Sequence, residues 1–562
     1  MMYLVLLLAA VAAAAQQELP PSCRSRVYCD SELLHRVQLA RLYSDSKRFV
    51  DLHMRYSEEQ ILADFQKLLD ETNNPTKQQL QTFVDEHFNT LSELEDWTPP
   101  DHSPDPAFLK KIKDEKLKEF AKNIHNIWPT LGRKVKDVVF EDPTRFSLIP
   151  VTNGFIIPGG RFREIYYWDS YWIIKGLLIS GMKETARGMI ENLLQLLDKC
   201  GIIPNGSRWY YQERSQPPLI TAMMKIYIEE TGDLDFLEGH MDQLEEELKQ
   251  WLITHTVDVQ KGDKKYSLLR YNAPTKGPRP ESYYEDYTNA QSFESQERQQ
   301  EFYTDIKSAA ESGWDFSTRW FVGDDGNNDG NLTTIHTRDI VPVDLNAMFA
   351  DALQNMANFK ALMARRKHSR DLLNEPWSEL ARDWREAIEK VLWDDKDGTW
   401  YDFDLVHNSH RRNFYPSNAS PLWGDAVEKH MVKLRAKRVF DYLKKSKALQ
   451  FDGGIPASLI RSGEQWDFPN AWPPLVSILL KALETVGSAE AKSKAFDVAE
   501  TWVRACYKGY TNSKQMFEKY DAETAGKYGD GGEYVVQSGF GWTNGVVLEF
   551  IDKYGEKMTA EE

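Results

Sequence analysis

Residues 158–171 read P-G-G-R-F-R-E-I-Y-Y-W-D-S-Y and combine flexible backbone, charge and aromatic rings. Pro158, Gly159 and Gly160 predict a chain reversal, because glycine adopts backbone dihedral angles that other residues avoid. Rings beside charges suit a sugar site, since the apolar face of a pyranose packs on a ring while its hydroxyls hydrogen-bond to arginine and carboxylate. A buried aromatic turn with one internal ion pair is the alternative interpretation.

A second aromatic stretch, at 465–473, reads Q-W-D-F-P-N-A-W-P. Together the two stretches resemble the two signatures of the glycoside hydrolase family of trehalases, in that family's order. The resemblance covers nearly the whole chain after its N-terminal leader. It implies an (α/α)6 toroid, a double ring of antiparallel helices with long functional loops. It also implies inverting hydrolysis of trehalose without a metal or an organic cofactor.

Helical periodicity by itself supports a mostly α fold. The segments with one broad apolar face, predicted as helices, are 108–128, 185–200, 219–230, 234–256, 344–365, 377–392, 424–449, 475–486, 490–507 and 544–554. Residues 138–157 are rich in β-branched and turn residues and favour short strands or extended chain. Long Gly-, Pro- and aromatic-rich loops separate the helices and contain every candidate site residue, as expected when a rigid scaffold carries function on its connections.

Composition narrows the classes of partner. The 562 residues can bury one large core or two. The formal net charge of -17 disfavours a nucleic acid or an anionic membrane and is compatible with a neutral small substrate. Nothing in the chain predicts a partner protein.

The first fifteen residues, MMYLVLLLAAVAAAA, form an apolar run ending in small residues. This pattern predicts a signal peptide at 1–15 and a secreted, soluble protein. A membrane anchor is the alternative, but the run is too short to span a bilayer comfortably. We expect residues 16–562 to form a single catalytic domain with a small N-terminal extension at about 16–105.

Four cysteines fit an oxidising compartment. Cys23 and Cys29 are close in sequence and predict a loop-closing disulfide. Cys200 and Cys506 could pair or could remain as buried thiols. Asn331 and Asn418 are plausible glycan acceptors, and Asn205 matches the same motif within a candidate site segment.

Glycoside hydrolysis needs two carboxyl groups across the scissile bond, one protonated and one ionised. The candidates are Asp169, Glu281, Asp315, Asp467, Glu518 and Glu533. The residues alone do not rank them, because a carboxylate beside an arginine can be a structural ion pair. The resemblance implies Asp315 as general acid and Glu518 as general base.

The resemblance also implies a set of sugar contacts. They are Arg161, Trp168, Asp169, Asn205, Arg214, Ser215, Gln216, Arg279, Glu281, Gly313 and Glu533. In the second signature we expect Trp466 to line the pocket, while Asp467 is as compatible with a structural role as with a functional one. No metal is predicted: residues 325–336 resemble a calcium loop, but His336 stands where a bidentate glutamate is required.

Two other functions remain open at this point. The chain could be a toroid glycosidase acting on another α-glucoside. It could also be a sugar-binding protein without catalysis, which would be stabilised by sugar and release no glucose.

Overall fold

The computed structural model describes residues 19–90, 92–368 and 376–561. The predicted leader at 1–15 lies outside these residues. None of the helices in the described ranges is long and apolar enough to cross a membrane.

Twelve helical elements of the described chain form its body. They are α1 (Glu115–His125), α2 (Asp169–Ile179), α3 (Lys183–Cys200), α4 (Ile220–Thr231), α5 (Leu234–His255), α6 (Val343–Lys367), α7 (Trp377–Val391), the 3-10 helix Pro416–Leu422, α8 (Val432–Ser446), α9 (Pro473–Val486), α10 (Ala489–Ser513) and α11 (Gly541–Tyr554).

These elements are arranged as two concentric rings. In the inner ring, α2, α4, α6, the 3-10 helix Pro416–Leu422, α9 and α11 contact one another in that order, and α11 contacts α2. The outer helices α1, α3, α5, α7, α8 and α10 pack against them. The short links from inner to outer helices, such as residues 180–182 between α2 and α3, make these neighbours antiparallel. The mostly α fold and the (α/α)6 toroid are therefore confirmed.

Inner and outer helices differ in how much of their surface is buried. In α2 only Lys175 and Ile179 are not fully buried, because other elements cover the helix on all sides. The outer helix α7 buries one face, which includes Trp377, Ala381 and Trp384. An apolar stripe reveals the outer helix in the sequence, whereas α2 has no such stripe and was not predicted.

Several predicted boundaries are wrong. The segment 108–128 is a 3-10 helix, Ala107–Lys111, followed by α1, which begins where the Asp114 side chain accepts a hydrogen bond from the Leu117 N–H. The segment 424–449 becomes helical only at α8; Gly424 itself lies against α6, where a Cβ would be 3.0 Å from the Ala347 carbonyl oxygen. In 138–157 the chain forms a short helix, Asp137–Glu141, and one short strand, Phe155–Ile156.

The N-terminal part of the described chain has its own small apolar core, which includes Val27, Leu34, Phe49 and Phe65. The toroid contributes Tyr166, Tyr210 and Tyr211 to this core.

The remaining α-helices are Arg26–Cys29, Glu32–Leu39, Lys47–Val50, Glu58–Thr72, Lys77–His87, Trp128–Leu131, Asp137–Glu141, Tyr283–Ala290 and Gln296–Glu311.

The strands are short, and all described pairings are antiparallel. They are His53–Met54 with Phe88–Asn89; Leu94–Asp96, Gly132–Val135 and Phe155–Ile156; Thr256–Lys261 with Lys264–Leu269; Ile340–Val341, Phe403–Asp404 and Ser409–His410; Trp393–Asp394 with Thr399–Trp400; and Asn470–Ala471 with Tyr520–Asp521. The last pairing joins the second signature to the segment that contains Glu518.

The cysteine prediction is confirmed, because Cys23 and Cys29 form a disulfide. Cys200 and Cys506 are free thiols, the second of them buried. Of the glycan acceptors, Asn331 is exposed. The Asn418 side chain is buried, and its amide donates to the carbonyls of Trp400 and Asn413. A glycan on Asn418 would remove these hydrogen bonds, so the folded chain does not accommodate that prediction.

Candidate active site

Except for Asp169, the first residue of α2, the candidate site residues lie in connections that run from an outer helix to the next inner helix. Residues 158–168 precede α2, 204–218 precede α4, 279–315 precede α6, 465–472 precede α9 and 517–540 precede α11. Because each of these connections leads into the start of an inner helix, they meet at the same end of the ring. The closed ring thus brings together residues that are hundreds of positions apart in sequence.

A cavity of about 660 Å³, mouth included, opens at this end of the ring. The lining residues are Arg161, Phe162, Tyr166, Trp168, Asp169, Asn205, Tyr211, Arg214, Gln216, Arg279, Glu281, Ser282, Ala310, Gly313, Asp315, Trp466, Trp472, Glu518, Glu533, Tyr534, Phe540 and Trp542. Of the predicted site residues, Ser215 and Asp467 are outside this set.

Ser215 lies behind the cavity wall. Its hydroxyl donates to the Ile203 carbonyl at 2.6 Å, and its backbone N–H donates to Glu311 at 3.0 Å. Its side chain is therefore engaged in holding the 204–218 connection and does not face the cavity.

Asp467 is also fully buried away from the cavity. Its carboxylate accepts hydrogen bonds from the Ser317 and Ser462 hydroxyls, at 3.0 and 2.6 Å. It accepts two more from the backbone and hydroxyl of Thr318, at 2.8 and 2.9 Å. Of the two roles left open for Asp467, this geometry matches the structural one: it ties the second signature to the connection that carries Asp315.

Asp315 is half-buried in the wall of the cavity. Burial raises the pKa of its carboxyl to about 7, with Arg279 opposing the shift and Glu533 adding to it. Its backbone is fixed from the second signature, because Gln465 donates to the Asp315 carbonyl and the Trp466 N–H donates to the Phe316 carbonyl at 3.0 Å. A carboxyl with this pKa is protonated in a large fraction of molecules near neutral pH.

Glu518 is fixed by two donors from the loop that precedes α11. The Tyr534 hydroxyl donates to Oε1 at 2.9 Å, and the Gln537 N–H lies 3.4 Å from Oε2. Burial raises the pKa of Glu518, while the charge of Lys519 and both hydrogen bonds lower it. These donors favour the ionised carboxylate.

Gln465 joins the connections that carry the two carboxyl groups. Its side-chain amide donates to the Asp315 carbonyl, and its side-chain oxygen accepts from the Lys519 ammonium at 3.0 Å. The Asn470–Ala471 and Tyr520–Asp521 strand pair reinforces this link. The second signature therefore acts as a frame between Asp315 and Glu518.

Asp169 is the first residue of α2 and faces the carboxyl groups of Asp315 and Glu518. Burial raises its pKa well above the usual range, and the charges of Glu518 and Asp315 raise it further. Asp169 is thus a third carboxyl group at the cavity, and burial together with the charges of Glu518 and Asp315 favours its protonated form.

Three arginines line the cavity, each with a carboxylate partner. Arg214 donates to Glu281 at 2.6 Å. Arg279 donates to Asp286 at 2.6 and 2.9 Å and to Glu533 at 3.0 Å. Burial raises the pKa of Glu281, but the charges of Arg214 and Arg279 outweigh it, and the net shift is downward. The third arginine, Arg161, pairs with Asp45.

Tryptophan rings form one wall of the cavity. Trp466 stacks on Trp472 with ring centroids 3.8 Å apart and planes 2° from parallel, and Trp542 meets Trp472 edge to face. Gly313 has φ +78°, and a Cβ there would lie 2.6 Å from the Trp168 ring. Gly313 is therefore required by the close approach of that ring.

Sequence reasoning missed nine lining residues. They are Phe162, Tyr166, Tyr211, Ser282, Ala310, Trp472, Tyr534, Phe540 and Trp542. Tyr534 matters most, since it contacts Glu518. It directly follows Glu533 in the quoted segment GGEYVVQSGFGW, and this adjacency is the signal that could have identified it. Among the side chains that the structure describes, no group of three or more His, Cys, Asp or Glu is arranged to hold a metal ion.

Comparisons with known proteins agree in one family. The model of the family described as Trehalase matches residues 41–555. The chain is 56% identical to a trehalase of Bombyx mori over 560 residues, covering 100% of this chain and 96% of that protein. It is 43% identical to a trehalase of Homo sapiens over 558 residues, covering 99% and 94%. Among solved structures, neutral trehalase from Saccharomyces cerevisiae has a TM-score of 0.56 at 22% identity, over 72% of this chain and 74% of that one. This structural likeness concerns the fold.

Proposed function

The chain belongs to the trehalase family, and we propose that it hydrolyses the α,α-1,1 bond of trehalose to two glucose molecules with inversion at the attacked carbon. Asp315 is the general acid and Glu518 the general base. The chemistry needs no cofactor. The observation that carries the proposal is the contrast between the two carboxyl groups in one cavity. Burial raises the pKa of both groups, that of Asp315 to about 7, but at Glu518 the charge of Lys519 and two hydrogen bonds that favour the ionised form oppose the rise.

In the proposed reaction, the protonated Asp315 donates its proton to the bridging oxygen as the glycosidic bond breaks. The departing glucose keeps its α configuration. Glu518 removes a proton from a water molecule that attacks the anomeric carbon from the opposite face, which yields β-glucose. An inverting pair of this kind is separated by about 6.5–9.5 Å, which leaves room for the water.

The cavity offers unpaired polar atoms to a sugar. Arg214 Nε, Glu281 Oε2 and Trp466 Nε1 are buried and have no hydrogen-bond partner within the described residues. Unpaired buried groups of this kind are costly, so a ligand that satisfies them gains binding free energy. Two donors and one acceptor beside tryptophan rings match sugar hydroxyls and the apolar face of a pyranose.

The stereochemical outcome is the first test. We expect proton NMR of the protein with trehalose, recorded within minutes and before mutarotation, to show equal amounts of α- and β-glucose. A retaining mechanism would release α-glucose alone, and Glu518 would then be a nucleophile. If glucose were released from another α-glucoside but not from trehalose, the assigned substrate would be that α-glucoside. Sugar-dependent thermal stabilisation without any glucose release would instead favour a binding protein.

The pH dependence tests the protonation state of Asp315. A general acid works only while protonated, so kcat/KM for trehalose should fall as the pH rises through about 7, the pKa that burial gives Asp315. The control substrate is α-glucosyl fluoride, because fluoride leaves without needing a proton. Its hydrolysis should lack this basic limb. Equal basic limbs for both substrates would assign the limb to another group.

A further inference from the structure

Asp45, in the N-terminal part of the chain, contacts Arg161, a residue of the cavity wall. Its carboxylate accepts two hydrogen bonds from the Arg161 guanidinium, from Nε at 2.9 Å and from Nη2 at 2.8 Å. This is the forked geometry that lysine cannot reproduce and that fixes the plane of a guanidinium. Asp45 is itself held in place, since its Oδ1 also accepts the Lys47 N–H at 3.0 Å.

The segment around Asp45 is anchored to another wall of the same cavity. The Gln38 amide donates to the carbonyls of Ser46 and Pro280, at 3.0 and 3.2 Å. The Ser46 hydroxyl donates to Glu285 at 3.2 Å. Pro280 lies between Arg279 and Glu281, which line the cavity. Asp45 is therefore presented to Arg161 from a fixed support.

Arg161 in turn contacts the residue that binds Glu518. Its Cζ lies 4.7 Å from the ring centroid of Tyr534, whose hydroxyl donates to Glu518 at 2.9 Å. The Arg161 backbone N–H donates to the Gln537 side chain at 2.8 Å, and the Gln537 N–H faces Glu518. The charge of Arg161 also lowers the pKa of Glu518. A continuous series of contacts thus runs from Asp45 through Arg161 and Tyr534 to Glu518.

We propose that Asp45 is a positioning residue for the reaction, acting through Arg161 and Tyr534 on Glu518; this inference rests on the proposed function. Asp45 is outside the toroid and does not line the cavity. Its side chain is 40% exposed and that of Arg161 19%. Exposed ion pairs contribute little to stability. Loss of the Asp45 carboxylate should therefore change catalysis more than folding.

The experiment compares Asp45→Asn with Asp142→Asn in the full chain. Asp142 pairs with Arg145 at 2.8 Å with side chains 43% and 42% exposed, and neither residue lines the cavity, so this variant controls for the loss of a similarly exposed carboxylate away from the site. We expect Asp45→Asn to lower kcat/KM for trehalose roughly tenfold, since small misplacements of site groups have effects of this order or larger. Asp142→Asn should stay within about twofold, as expected for an exposed pair.

A pH profile separates positioning from a general structural effect. Within the described residues, Arg161, Tyr534, Lys519 and Asp169 are ionisable groups that face Glu518, and Asp315 lies in the same cavity. Because the position and charge balance of Arg161 influence the pKa of Glu518, the acid limb of kcat/KM should shift from its parental position in Asp45→Asn. Asp45→Glu retains a carboxylate and should restore part of the activity and return the limb toward its original position.

The outcomes divide clearly. If the parent is active and Asp45→Asn has the same kcat/KM and the same acid limb, this inference is wrong and the proposed function is unaffected. A loss of activity that parallels a fall in Tm, with no shift of the limb, would make Asp45 structural and also overturn it. A parent that releases no glucose would remove the proposed function and this inference together.

Discussion

Replacing Asp315 with asparagine is expected to lower kcat for trehalose about 10³-fold, the scale typical of losing a general acid. Asparagine has nearly the same shape but cannot donate the proton that the bridging oxygen needs. The fold should be retained, because the second signature holds Asp315 through its backbone carbonyl. Steady-state kinetics together with thermal unfolding would measure both effects.

The control for this variant is again α-glucosyl fluoride. Because the fluoride ion needs no protonation, Asp315→Asn should hydrolyse it at a rate close to that of the parent. An equal loss on both substrates would contradict the role of acid and would indicate that Asp315 binds the sugar or water instead. Trehalose hydrolysis near the parental rate would remove Asp315 from the mechanism altogether.

Replacing Glu518 with glutamine is expected to abolish hydrolysis of both substrates, again by about 10³-fold or more. The attacking water must lose a proton whichever group departs. The glutamine oxygen can still accept the hydrogen bond that Tyr534 donates to Oε1, so the surrounding loop should keep its position. The two variants are thus distinguished by α-glucosyl fluoride, which only Asp315→Asn should cleave.

Azide offers a positive test of the Glu518 position. The smaller variant Glu518→Ala leaves space beside the anomeric carbon, and azide needs no base because it is already an anion. Azide added to this variant should restore turnover of α-glucosyl fluoride and form β-glucosyl azide with release of fluoride. Formation of α-glucosyl azide, or no azide product, would contradict attack from the side of Glu518.

The part of the fold visible in the sequence is the part with a repeating apolar face. The outer helices α3, α5 and α7 were predicted to within about two residues, because each buries one stripe against the inner ring. The inner helix α2 lies inside the opening stretch of the sequence and was missed, since burial on all sides removes the periodic signal. The helices Tyr283–Ala290 and Gln296–Glu311 were missed as well.

For the site, the sequence supplied the candidate side chains, and the family resemblance indicated which carboxyl groups are the general acid and the general base. Thirteen of the fifteen named residues line the cavity, and Ser215 and Asp467 do not. Local sequence could not separate the functional carboxylates from the structural ones, because a carboxylate beside an arginine has the same neighbours in sequence whether it binds sugar or bonds to the backbone. Whether Ser215 faces the cavity depends on which direction its hydroxyl takes in the folded chain.

The chain alone thus determined a mostly α fold with aromatic, charged loops, because periodicity and motifs are local properties; the toroid was implied by the family resemblance. Only the tertiary structure decided which of those loops meet, since the closed ring brings together Asp315 and Glu518 from two connections and Asp169 from the start of α2. It also decided the pKa of Asp315, which depends on burial and on distant charges. The contact of Asp45 with Arg161 was also decided only by the tertiary structure, because 115 residues lie between the two positions and no local sequence pattern pairs them.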